Sequence, residues 1–164
     1  MPSLLEISVG VAILAVGALA VTSTGLASSR LEREDAEHAV ARRAALEVAS
    51  EVASAAAALA GDRTSWARRL PERFESNIAR PVVGLVPIGS APGVLTIDVV
   101  TDETASDAAL GTLIGLPRDL DGDGRATCVD VTSSAKLLPV VVRVRWSSDG
   151  SPREFVHGFF VQVH

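Results

Sequence analysis

A single cysteine, Cys128, stands in the whole chain, so no internal disulfide can form and a stapled secreted scaffold is excluded. Aromatic residues are scarce at 4%, yet hydrophobic content is 48%, so Ala, Val and Leu carry the apolar weight. The formal charge of −5 leaves no basic surplus, which argues against a nucleic-acid partner, since phosphate binding calls for a basic face. No GxSxG, HExxH, Walker A or GxGxxG pattern occurs, and His38, His157 and His164 lack the clustered spacing of a zinc site. No enzymatic activity is therefore expected. The chain has no internal repeat and no long disordered tract, and its 164 residues suit one modest domain plus an anchor.

What is present begins almost at once. Ile7 to Ala27 carries no charged residue. That is about 21 residues, close to the ~20 needed to cross a hydrocarbon core as a helix. A cleaved secretory signal is the competing reading. Against it, no Lys or Arg precedes the run, the run exceeds a usual signal core, and the helical pattern continues beyond it. Residues 30–60 contain no Gly or Pro and are rich in Ala, Glu, Leu and Arg, the strong helix formers. Leu31, Ala39, Leu46, Ala53 and Ala57 form one stripe, expected to be the packing face. With Gly61 as C-cap, one helix of roughly 80–90 Å, at 1.5 Å per residue, is predicted over residues 3–60. On the exposed run 30–37, Arg33 and Glu37 have the spacing of an ion pair.

The front of this helix reads Ser3-Leu4-Leu5-Glu6, then small or apolar residues through Ala20. It resembles the N-terminal signal of type IV pilins and type II secretion pseudopilins, in which Thr/Ser-Leu-Ile/Leu-Glu opens a long apolar helix. The resemblance covers the first third of the chain. A carboxylate so near the front of a membrane span is costly without a role. The resemblance gives Glu6 the part of pairing with the N-terminal amine of a neighbouring subunit during assembly. It puts processing and N-methylation at Pro2, or at Met1 if the spacing slips by one, where the family usually has Phe and a preceding Gly. It further implies prepilin peptidase, other pilin or pseudopilin subunits and the cytoplasmic membrane as partners. The protein would sit single-pass in that membrane with its head outside, then enter an extracellular or periplasmic filament.

A second motif lies far downstream. Asp119-Leu-Asp-Gly-Asp-Gly-Arg-Ala-Thr-Cys-Val-Asp130 has the spacing of a calcium loop. Carboxylates of Asp119, Asp121 and Asp123 fall at positions one, three and five. Gly124 stands at six, Arg125 offers a backbone carbonyl at seven, Thr127 stands at nine and Asp130 closes at twelve. Ca²⁺ is a hard ion seeking six to eight oxygens, and a tight loop converges them. Asp at the last position resembles the dockerin-type loop more than an EF-hand, and Leu116-Pro117 leaves no helix before it. The bland alternative is an Asp/Gly-rich surface turn without metal.

Between the two motifs, Asp62 or Thr64 is expected to cap a short helix that Pro71 interrupts. Val82–Ile88 and Val94–Val100 read as strands, Ala105–Leu116 as a short helix or loop, and Leu138–Trp146 with Glu154–Val163 as an antiparallel hairpin. Trp66 and Trp146 read as core anchors. The predicted fold is α+β: an apolar helix over 1–28, its continuation over 29–60, and a β-rich head over 61–164 bearing the acidic loop 119–130. The function expected is a structural, minor subunit of a type IV pilus-like filament or pseudopilus. The alternative is a membrane-tethered, calcium-dependent binding module that does not polymerise.

Overall fold

The computed structural model describes residues 4–61, 65–74 and 79–162, with side-chain surroundings from Ser28 onward. Met1, Pro2, the Glu6 side chain, Asp62, Thr64, Val163 and His164 lie outside the described residues. The fold is α+β, with a long N-terminal helix and a three-stranded antiparallel sheet. Helix α1 spans Leu4–Leu59, α2 Trp66–Phe74 and α3 Asp107–Leu110, while strands β1 (Leu95–Val99), β2 (Leu137–Ser148) and β3 (Ser151–Gln162) form the sheet in the order β1-β2-β3. Contacts divide the chain into two units, Met1–Glu37 and His38–His164. Among the described residues no helix is long and apolar enough to cross a membrane; the side chains of Ile7–Ala27 lie outside that set.

In the first unit, the expected Arg33–Glu37 pair forms, with 3.1 Å between Nε and Oε1. In the second, the packing face of α1 differs from the predicted stripe. Leu46 is exposed at 46%, and Ala39, Ala53 and Ala57 are exposed too; Leu31, in the first unit, is exposed at 63%. The buried positions are Ala41, Ala45, Val52, Ala55 and Ala56, with Val48 and Leu59 half-buried beside them. The steps from 41 through 45, 48, 52 and 55 to 59 alternate four and three, the spacing of one continuous helical seam. The helix offers two apolar stripes, and the smaller residues allow the closer approach. Its end also departs from expectation. The Ala60 N–H donates to the Ala57 carbonyl at 3.2 Å, a 3₁₀-type closure. Gly61 is not in the left-handed conformation that a glycine cap requires.

Pro71 does not interrupt α2 but lies inside it. Its missing N–H and its ring cost about 3 kcal/mol in a helix interior. Trp66, Ala67, Leu70 and Phe74 share one face and are buried. Burying each large side chain contributes about 1.5–3 kcal/mol, which together outweighs the proline. Trp66 also donates from Nε1 to the Ala135 carbonyl at 3.2 Å.

The sheet is built on β2, central in order and buried along nearly its whole length. Residue pairs such as Ile97↔Val142 and Val142↔His157 fix its two registers. Even-numbered residues of β2 face α1, where Trp146 meets the His38 ring edge-on at 4.9 Å. Odd-numbered residues face residues 110–116, where Arg143 donates to the Leu110 carbonyl at 2.9 Å. Both tryptophans are thus core anchors, at 2% and 1% exposure. The hairpin turns on Asp149-Gly150 alone, both at positive φ (48° and 79°), the type I′ geometry that matches strand twist. Val82–Ile88 is not a strand. Pro81 and Pro87 cannot donate to a ladder, Gly84 turns at φ 93°, and only Val86 bridges the sheet, to Ser147.

Candidate metal centre

The connection from β1 to β2 has one short helix and is otherwise irregular, so its backbone polar groups need partners other than a ladder. Carboxylates supply many of them. Ser106 caps α3, Gly111 closes it at φ 65°, and Asp107 accepts from the Gly115 and Leu116 N–H groups at 3.0 and 2.9 Å. Those bonds hold the Asp107 carboxyl below its usual range, Leu116 contributing most.

The acidic loop is organised by the same chemistry. Asp119 accepts from the Gly122 N–H through one oxygen and from the Gly124 N–H through the other, at 2.8 Å in the latter case. Asp121 accepts from the Asp123 N–H at 3.0 Å, and Asp123 from the Arg125 N–H at 2.7 Å. Each aspartate thereby closes a small turn over the residues just after it. Gly122 and Gly124 sit at φ 78° and 87°, so the expected sharp turn at Gly124 is present. A Cβ at Gly122 would also collide with the Lys136 side chain, which lies across it.

The residue that ties this loop to the core is Glu103. It lies just beyond β1 and is only 1% exposed. Its Oε1 accepts from the N–H groups of Leu120 at 2.6 Å and Asp121 at 3.2 Å, and its Oε2 from that of Cys128 at 3.1 Å. Its own N–H donates to the Cys128 carbonyl at 3.0 Å, and the Val131 N–H reaches Thr101. Burial pushes the Glu103 carboxyl up, but the Leu120, Cys128, Asp121 and Thr127 N–H groups outweigh burial and hold it below the usual glutamate value. Among the described residues its charge is thus compensated by backbone dipoles rather than by an Arg or Lys.

Oxygens of Glu103, Asp119 and Asp121 lie within 4.8 Å of one another, a group that can hold a metal ion. The donor set is all carboxylate, the chemistry of a hard cation. A carboxylate has about four lone-pair sites. Glu103 accepts two backbone N–H groups on Oε1 and one on Oε2, which fixes its carboxylate in place beside Asp119 and Asp121. Asp119 and Asp121 are half-buried, with Ser134 donating to the second oxygen of Asp121 at 3.1 Å.

Of the other predicted carboxylate ligands, Asp123 and Asp130 are not part of this group. Asp123, Arg125, Thr127 and Asp130 are exposed. The Asp130 carboxylate accepts from the Thr132 N–H at 3.0 Å, while its carbonyl accepts from the Cys128 thiol at 3.2 Å. In an EF-hand a following helix brings position twelve inward; here a turn over residues 132–134 follows instead. Glu103 supplies the buried carboxylate from sixteen positions before the loop. No spacing rule links it to Asp119. Glu103 follows Asp102, four positions past the end of β1, and nothing in that context sets it apart from its acidic neighbour.

A cleft of about 380 Å³ beside α1, lined by Val40, Ala44, Val48, Pro81, Val82 and Leu95 among others, includes no residue of the acidic loop. Comparison of the chain with family models, curated proteins and solved structures finds no match.

Proposed function

We propose that the chain is a pilin-like structural subunit, anchored and assembled through its N-terminal helix, whose head is stabilised by a bound calcium ion. The observation that carries this reading is the uninterrupted helix Leu4–Leu59, whose residues from Ala41 onward pack into an antiparallel sheet domain. The uncharged run Ile7–Ala27 and the acid at Glu6 supply the rest. A bare apolar helix of that length must be shielded by lipid or by sister helices, and a filament core provides the second. Glu6 then pairs with the amine of a neighbouring subunit, because an unpaired carboxylate in such a core is strongly disfavoured.

Calcium is the cation favoured for the Glu103–Asp119–Asp121 group. The ligands are oxygens alone, and a flexible loop tolerates its irregular coordination better than the octahedral demand of Mg²⁺. The ion would draw Asp119 and Asp121 onto Glu103 and relieve the repulsion among them.

A second reading, a tethered calcium-binding module that does not polymerise, is favoured by one observation: the cation-capable group lies wholly within the head and needs no neighbouring subunit. Glu6→Leu separates the two. In the native host it leaves membrane insertion intact and sharply reduces incorporation into sheared filaments, read by immunoblot. Incorporation at the wild-type level would leave the tethered module as the better reading.

A further inference from the structure

We infer that β3 is a homodimerisation edge, pairing antiparallel with β3 of a second copy of this chain about a two-fold axis through Gly158. The partner is chosen by the strand's own sequence. In the order β1-β2-β3, one side of β3 faces no other strand, and among the described residues no backbone hydrogen bond joins residues 154–160 to any element but β2. The ladder shows which groups face outward. Arg145 donates to the Val94 carbonyl, Ser147 to that of Val86, and Pro139 accepts from Val100, so odd residues of β2 direct their backbone groups toward β1. Even residues of β2 therefore face β3, and their partners there are odd, as in Val140↔Phe159 and Val142↔His157. The even residues of β3, among them Glu154, Val156, Gly158 and Phe160, point their N–H and C=O groups away from the sheet. Pro152 also falls on this side, where a missing N–H costs no ladder bond.

An antiparallel pair centred on Gly158 joins outward groups to outward groups: Val156 with Phe160 and Gly158 with itself. Between them Phe155 meets Val161 and His157 meets Phe159. Apart from the glycine pair on the axis, every cross-strand contact from 155 to 161 is then aromatic on β-branched or ring on ring, combinations that stabilise sheet pairs. The same patch meets itself across the axis, as a two-fold interface requires. Three of the four phenylalanines of this aromatic-poor chain lie on the strand, at positions 155, 159 and 160, each only half-buried. Edge strands that stay unpaired are guarded by charge or proline along their length. Here Pro152, Arg153 and Glu154 stand at the first end, residues 155–162 carry no acidic, Lys or Arg side chain of their own, and Arg118 stacks its guanidinium over the Phe160 ring at 5.0 Å. At the centre, Gly158 lies under Ile114 and Thr112, where a Cβ would collide with Ile114, so the residue on the axis stays small.

The register is testable at two exposed positions. It sets Glu154 opposite Gln162 of the second copy in a hydrogen-bonded pair with Cα atoms about 5.5 Å apart, within the ~4.4–6.8 Å span of disulfides. Two copies of the same position lie about eight residues apart along the strand, roughly 27 Å. Full-length Glu154→Cys and Gln162→Cys chains, both carrying Cys128→Ser, are oxidised mildly in detergent micelles, separately and mixed. The expected result is disulfide-linked dimer in the mixture at several-fold the level in either chain alone. Adding Val156→Pro to both chains, which removes an outward N–H and no β2 bond, should abolish the excess. Equal cross-linking in all three samples, none in the mixture, or an excess that survives Val156→Pro would overturn the inference.

Discussion

The β2–β3 hairpin and the β1–β2 connection lie side by side in one head and are ordered by opposite means. The hairpin is held by what repeats: twelve-residue strands, alternating faces and a two-residue turn with both φ values positive. The connection has almost no repeating structure, and its backbone is satisfied one group at a time by the carboxylates of Asp107, Asp119 and Glu103. Many small terms sum in the first region. In the second, a few charged hydrogen bonds, individually stronger, do the same work. The hairpin should therefore respond to volume and the connection to charge.

The largest effect is expected on the hairpin side. Trp146→Ala removes a side chain that is 1% exposed beneath α1, and should cost about 3–5 kcal/mol in urea unfolding, independent of pH. Glu103→Ala comes next. It leaves three N–H groups without their acceptor, at about 1 kcal/mol or more each. Hydrogen exchange should speed up at Leu120, Asp121 and Cys128 and stay unchanged in the hairpin. Equal acceleration in both regions would show that the two are not separately ordered.

The same residue sets a pH dependence. The folded-state carboxyls of Glu103, Asp107 and Asp119 are all depressed. Groups lowered on folding contribute stability above their unfolded values, about 4, and lose it as pH falls through the lower folded values. Stability should thus be flat at neutral pH and decline from about pH 4 downward. Glu103→Gln should be less stable at neutral pH and show a shallower decline. The smallest change is expected at the turn: Gly150→Ala, at φ 79°, should cost about 1–2 kcal/mol and leave exchange in the acidic loop unaffected.

The contrast also explains what the sequence reveals. The hairpin is legible because Leu138–Trp146 and Glu154–Val163 alternate around Asp-Gly, a short-range signal. The turn at Gly124 is legible because a calcium-type loop needs a flexible residue there. Glu103 is not legible, since its partners are backbone N–H groups that any residue supplies, brought near by the pairing of β1 with β2. The buried face of α1 is not legible for a related reason. Leu46 carries more hydrophobicity than Ala41 and Ala45, yet the small side chains are the ones buried on the head. Pro71 sits inside α2 against its local signal because burial of Trp66, Leu70 and Phe74 outweighs its cost. Arg33 and Glu37, needing nothing beyond their own helix, pair as their spacing requires.

The most direct measurement is the melting of the full chain in detergent with calcium and with chelator, for the wild type and for Asp119→Asn/Asp121→Asn. A cation bound at Glu103, Asp119 and Asp121 predicts a wild-type melting temperature several degrees higher in saturating calcium, as expected for a ligand at about 100 times its Kd, and no such rise in the double variant. Superimposable wild-type curves with calcium and with chelator would contradict it, and the acidic loop would then be a turn that Glu103 orders without a metal.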